Sequence, residues 1–276
     1  MGNGSNELID LGCRVFAPPT GHVVFGVPSF YCYQQSTIAH GLPHTAVPLR
    51  DHLHWDVDAL LAAMQPETAL LFIAQPNNPT GAYIAEPELV RLLRDTPPWV
   101  TVVMDEAYVE YADASDFVSA LRHRHLRERL MVLRTFSKAH GLAGLRIGYA
   151  VAPAAMVDPI DRVRPPFNAG SVGQAAARAA LGDRAHVERS VALNRRERAR
   201  LAGALAALGL GVAPSQANFL LVDVRRPCGE VFDALLQKGV IVRPMDAPLT
   251  THLRITVGLP SENDRLLGSL SEVLRG

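Results

Sequence analysis

Lysine is almost missing from this chain. Of 27 basic side chains in 276 residues, only Lys138 and Lys238 are lysines, and the other 25 are arginines. Cysteine is scarce too: Cys13, Cys32 and Cys228 are odd in number and share no CxxC spacing. That excludes a disulfide-stapled scaffold and fits a reducing compartment. No apolar run approaches the roughly 18 residues of a membrane span, and no signal-peptide pattern opens the chain. Acidic and basic side chains balance at 27 each, so no charge excess points to nucleic acid or an anionic membrane. No internal repeat, low-complexity tract or metal-ligand set stands out. These absences leave the expectation of a soluble, cytoplasmic protein. The hydrophobic content of 48% is enough for one large domain and a smaller one.

What the chain does contain is organised around Arg134 to Tyr149, reading RTFSKAHGLAGLRIGY. Lys138 follows a hydroxyl residue in a Gly-rich loop between two strand-like segments, and Arg146 lies eight positions further on. Lysine can lose its proton and form a Schiff base with an aldehyde, which arginine cannot do. Lys138 therefore reads as the covalent anchor of an aldehyde cofactor, against the plainer reading of a solvated loop lysine. Lys238, in LLQKGV, reads as a cation closing a helix before a terminal glycine.

The rest of the chain alternates strands and helices. The start, MGNGSNELIDL, reads as a glycine turn entering an amphipathic helix with no strand before it, with Gly4, Ser5 and Asn6 as cap material. HVVFG (22–26), HTAVPL (44–49), ALLFIA (69–74), LMVLRT (130–135) and LRIGYAVA (145–152) read as strands. Helices are expected at 56–64 and 86–94. One ring among Phe30, Tyr31 and Tyr33 is placed to stack on a flat cofactor. The turn QPNNPTG (75–81) follows a fully apolar strand, at the carboxyl end where ligands of open α/β sheets gather. WVTVVMDEAYVEY (99–111) runs an apolar strand into Asp105 and Glu106. A carboxylate there is costly without a partner, which marks Asp105 as a site residue. The patches HRHLRER and NRRERAR read as solvated charge on helices. From Ser171 onward the pattern becomes two Ala-rich helices, then strands at 218–224, 240–244 and 252–258 with helices at 229–238 and 261–274. The expected fold is α/β, a mostly parallel central sheet in residues 1–180 followed by a smaller α+β domain in 181–276.

Taken together, GNGSNELI, PSFYCY, QPNNPTG, DEAYVEY, RTFSKAHGLAGLRIGYA, PPFN, SQANFLLV and HLRITVG resemble, in order and across the whole chain, the fold type I pyridoxal-phosphate aminotransferases. The histidinol-phosphate aminotransferase branch is the nearest in pattern. The resemblance implies the following roles. Lys138 binds pyridoxal 5'-phosphate covalently and then shuttles the substrate α-proton, and Asp105 pairs with the pyridinium nitrogen. Asn78 and Tyr108 bond the ring's phenolic oxygen. The backbone amides of Ser5 and Asn6, with Ser137 and Arg146, hold the cofactor phosphate. Phe30 stacks on the ring, where the branch more often has tyrosine. Arg254 matches the arginine that grips a substrate α-carboxylate, a position that histidinol phosphate fills with a phosphate-bearing carbon. Arg243 matches the branch's second substrate arginine, so that the two read phosphate together.

The implied activity is ping-pong transamination between histidinol phosphate and 2-oxoglutarate or glutamate, in histidine biosynthesis, by a cytoplasmic homodimer. An aromatic or phenylalanine aminotransferase, a threonine-phosphate decarboxylase, and a PLP-binding but catalytically impaired homologue remain alternatives. The family also carries very roughly eighty residues before the point where this sequence begins, including a tyrosine that reaches the neighbouring subunit's phosphate. The expectation drawn from that difference is weaker cofactor binding and turnover for the chain as written.

Overall fold

The structure, a computed structural model, describes residues 1–275. In chain order the elements are β1 (Gly2–Asn3), α1 (Gly4–Phe16), β2 (His22–Val27), α2 (Cys32–Ala39), β3 (His44–Pro48) and α3 (Val57–Ala62). There follow β4 (Thr68–Ala74), α4 (Glu86–Asp95), β5 (Thr101–Asp105), β6 (Leu130–Thr135), β7 (Ile147–Val151) and α5 (Ala154–Val163). Helices α6 (Ser171–Gly182) and α7 (Arg184–Ala207) lead to β8 (Gly211–Val212), β9 (Phe219–Asp223), α8 (Cys228–Gln237), β10 (Arg243–Pro244), β11 (His252–Thr256) and α9 (Pro260–Arg275).

Seven strands form one sheet in the order β1-β7-β6-β5-β4-β2-β3. The pairs β3/β2, β2/β4, β4/β5 and β5/β6 are parallel, whereas β7 and β1 are antiparallel to their neighbours. Every residue of β4 and β5 is buried, which is why ALLFIA and TVVM show no polar alternation: helices cover both faces. Register pairs Ala74 with Asp105 and Asp105 with Leu133. The turn after β4, the acid ending β5 and the Ser-Lys loop after β6 therefore emerge along one rim.

The second sheet, β10-β11-β9-β8, is wholly antiparallel. Leu201, Leu205, Val222, Leu235, Leu253 and Leu270 fill its own apolar core. Gln216 fastens it to the large sheet. Its Oε1 accepts from the Asp113 and Ala114 amides at 2.6 and 3.0 Å, and its own N–H donates to Gly81 O at 2.9 Å. Gly81 sits at φ +76°, and a Cβ there would collide with Ser215. Only glycine lets the QPNNPTG turn lie this close to the small sheet.

Several expectations need correcting. Gly2 and Asn3 pair with Gly148 and Ile147 as a short strand, so a strand does precede α1. Ser5 lies inside that helix rather than capping it. The exposed end is tied instead by Glu7, whose Oε2 accepts the Asn3 N–H at 2.7 Å. Helices α2 and α5 were not anticipated: α2 has almost no amphipathic pattern, and α5 carries Pro159, a helix-breaking residue, inside it. β10 spans two residues rather than five.

The Arg-rich patches are not mere solvated charge. Arg127 is 7% exposed, and its guanidinium donates to the carbonyls of Leu93, Thr96, Pro97 and Val100. It thereby closes the end of α4 against the start of β5. Arg198, 8% exposed, donates to Tyr111 O, Ala217 O and Asp113 Oδ1.

Candidate active site

The rim of the large sheet and the facing edge of the small one enclose a cavity of about 650 Å³. Its lining includes all eleven residues singled out from the sequence: Ser5, Asn6, Phe30, Asn78, Asp105, Tyr108, Ser137, Lys138, Arg146, Arg243 and Arg254. They come from eight separate segments, and the fold brings them together.

At the floor, Asp105 is 4% exposed. Its Oδ1 accepts the Ala107 amide at 3.2 Å and its Oδ2 accepts the Tyr33 hydroxyl at 3.1 Å. Burial pushes its carboxyl up to about 6; the two hydrogen bonds and the Lys138 ammonium pull the other way. A carboxylate in this position favours a cation in the cavity.

Lys138 lies on the loop whose turn is set by Thr135, whose Oγ1 accepts the Ser137 N–H at 3.1 Å. Burial and then the Arg254 charge hold the Lys138 ammonium below the usual lysine range, with Arg146 adding to them and Asp105 opposing. That favours the neutral amine, the form that attacks an aldehyde. Its Nζ lies 5.2 Å from the Tyr108 ring centroid. Tyr108 meets Phe219 edge to face at 5.1 Å, and the Arg254 guanidinium lies over Phe219 at 5.3 Å. The Lys138 amine and the Arg254 guanidinium are thus carried on a shared aromatic wall.

At one end of the cavity α1 begins. Gly4 has φ +73°, and a Cβ there would sit 2.6 Å from Arg146 Nη2. The absence of a side chain lets the guanidinium close on the helix N-terminus. The residues Ser5 and Asn6 line the same end. A cation packed against the positive end of a helix is unfavourable unless an anion lies beside both. The donor set therefore fits a phosphate.

On the small sheet, Arg254 and Arg243 face each other directly across β11 and β10. Arg254 Nη1 donates to Asn78 Oδ1 at 2.7 Å, and its buried Nε has no partner among the described residues. Asn78, expected at the cofactor's phenolic oxygen, uses its carbonyl oxygen to fix Arg254.

The sequence reading missed the hydroxyl of Tyr33. That residue was considered only as a ring, and its complete burial, which gives the hydroxyl its importance, is not visible in PSFYCY. The described residues contain no cluster of His, Cys, Asp and Glu able to hold a metal ion. No described helix is long and apolar enough to cross a membrane.

Known proteins share the sequence and the fold of this chain. The family model for aminotransferase class I and II matches residues 1–270. A histidinol-phosphate aminotransferase from an Anaeromyxobacter species is 47% identical over 276 residues, covering 99% of this chain and 76% of that protein. A second, from Pseudomonas aeruginosa, is 44% identical over 275 residues, covering 99% and 74%. Among solved structures, histidinol-phosphate aminotransferase from Sinorhizobium meliloti, in complex with pyridoxal-5'-phosphate, superposes with a TM-score of 0.92. It is 31% identical, with 99% of this chain and 76% of that one covered. The chain belongs to the class I and II aminotransferases.

Proposed function

We propose that this chain is a pyridoxal-phosphate-dependent transaminase that moves an amino group from histidinol phosphate to 2-oxoglutarate, yielding glutamate. The observation that carries the substrate assignment is the register of β10 on β11. Like charges placed directly opposite on neighbouring strands repel, yet Arg243 and Arg254 occupy such a pair and both line the cavity. A doubly charged anionic group bound between them turns that repulsion into attraction. The names of the relatives, at 40–47% identity, point to the same donor.

When bound, pyridoxal phosphate supplies an electron sink for the carbon from which a proton is removed. The chain's own residues do the rest. The α1 N-terminus, Ser137 and Arg146 would hold the phosphate, and Phe30, which lines the same cavity, would stack on the ring. Asp105 keeps a proton on the ring nitrogen, and Asn78 and Tyr108 bond the phenolic oxygen. The Lys138 amine would anchor the cofactor through its aldehyde and would hold and return the proton of the substrate's Cα. Arg254 and Arg243 orient the donor by its anionic end. The division into domains near residue 180 lets the small sheet carry those two arginines over the cofactor. We also assign a homodimer in the cytoplasm; Phe167 and Val172, 96% and 71% exposed in one short segment, offer apolar surface to a second copy.

A donor panel tests the reading. With 2-oxoglutarate as acceptor, histidinol phosphate should give glutamate faster than phenylalanine does. A preference for phenylalanine, or release of carbon dioxide from threonine phosphate, would overturn it.

A further inference from the structure

Tyr33 lies in the first turn of α2 with 0% of its surface exposed. Its ring stacks on Phe72 at 5.1 Å with an interplanar angle of 6°, and it meets Phe30 edge-on at 5.7 Å. Between these two contacts the ring has no freedom to turn away, and its hydroxyl is delivered to Asp105 Oδ2 at 3.1 Å. The other oxygen, Oδ1, is held by the Ala107 amide. The carboxylate is thus gripped from two sides, by α2 and by the segment after β5.

We propose that Tyr33 is a positioning residue for the cofactor: it fixes the rotamer of Asp105 and holds its carboxylate ionised toward the ring nitrogen. This rests on reading Asp105 as the ring-nitrogen partner. A hydroxyl can donate one hydrogen bond to an ionised carboxylate and so stabilises that form. It opposes burial, which drives Asp105 toward the protonated acid. The remaining groups that bear on the carboxyl are few. Glu106 raises it, Lys138 lowers it, and the neighbouring Cys32 and Tyr108 are neutral groups whose own ionisation it suppresses. Tyr33 itself stays protonated, since burial and the adjacent carboxylate both push its phenol up. The donor is therefore permanent over the working pH range. A phenylalanine here would pack as well against Phe72 and Phe30 but would leave Oδ2 without that donor.

The test compares the full chain, stripped of cofactor, as wild type, Tyr33→Phe and Asp105→Asn. Pyridoxal phosphate is titrated onto each, and carbon-13 NMR of labelled aspartate follows carboxyl titration before the cofactor is added. The signal lost in Asp105→Asn identifies the residue. In Tyr33→Phe the Asp105 midpoint should rise by about one pH unit and cofactor affinity should fall roughly tenfold at neutral pH. Affinity should also weaken more steeply toward acid pH, and the cofactor-free variant should lose urea stability at pH above the Asp105 midpoint but not below it, where the carboxyl is protonated. Placing 4-aminophenylalanine at the same position, which fills the pocket and again donates, should recover part of the affinity. If Tyr33→Phe titrates and binds like wild type while Asp105→Asn binds poorly, the proposal fails and the reading of Asp105 survives. If Asp105→Asn binds pyridoxal phosphate as wild type does, that reading fails and takes the proposal with it.

Discussion

Arg254 Nη1 donates to Asn78 Oδ1 at 2.7 Å across 176 positions of sequence. The contact ties the small sheet to the turn after β4 and fixes both partners. Asn78 lines the cavity, and with its oxygen held by the arginine its amide nitrogen is the group left to donate. Arg254, anchored at Nη1 and lying over the Phe219 ring, has a buried Nε without a partner among the described residues.

Replacing Asn78 by alanine should therefore act on the donor substrate as well as on the cofactor. The Michaelis constant for histidinol phosphate should rise roughly tenfold, the scale of one hydrogen bond to a charged group. Asn78→Asp should be worse, because a carboxylate pairs with Arg254 and competes with the substrate anion. Steady-state kinetics at saturating 2-oxoglutarate check both.

Asp105→Asn should lose activity and gain stability. A neutral amide does not hold the ring nitrogen protonated, so turnover should fall about 10²-fold or more. Without cofactor, the sign of the stability effect follows from the folded carboxyl lying at about 6 against an ordinary 3.8. The folded state binds more protons than the unfolded state between those values, so its stability falls as pH rises through them. At alkaline pH the asparagine variant should be more stable than wild type by about 1–3 kcal/mol. Near pH 5 that advantage should shrink to about half. Urea titrations of the cofactor-free proteins at the two pH values measure it.

The sheet and several of the residues that line the cavity were legible in the sequence because each rests on a local signal. A buried parallel strand is a continuous apolar run, as in β4, and an acid at its end, as at Asp105, must have a partner. The lysine stood out through the scarcity of lysine elsewhere. What stayed hidden depends on contacts between distant segments. The burial of Tyr33, the facing of Arg243 by Arg254 and the joining of Asn78 to Arg254 arise only when sheets assemble. Arg127 and Arg198 were misread for the same reason: their neighbours in sequence are charged, but the carbonyls they bind come from elsewhere.

Arg127 supplies a stability prediction independent of the site. Its charge has no acid partner among its hydrogen bonds, and burial pulls its guanidinium down to about 10. It persists because four backbone carbonyls accept from it. Arg127→Met leaves those carbonyls unpaired and should cost about 2–4 kcal/mol of stability. Cofactor affinity should be unchanged when measured below the unfolding transition.

Arg243→Ala should separate donors by their chemistry. Loss of one charge-assisted contact weakens binding of histidinol phosphate by roughly 10-fold or more, while phenylalanine, gripped by Arg254 alone, should change little. Equal losses for the two donors would assign Arg243 to strand pairing instead of to phosphate.

The central claim is that Lys138 carries the cofactor, and reductive labelling tests it most directly. The chain is loaded with pyridoxal phosphate, treated with borohydride, digested, and its peptides mapped by mass. With two lysines in the sequence, the outcome is unambiguous. The account predicts the pyridoxyl group on Lys138, in the peptide containing TFSKAHGL. A label on Lys238, or no label on a protein that demonstrably holds pyridoxal phosphate, would contradict it.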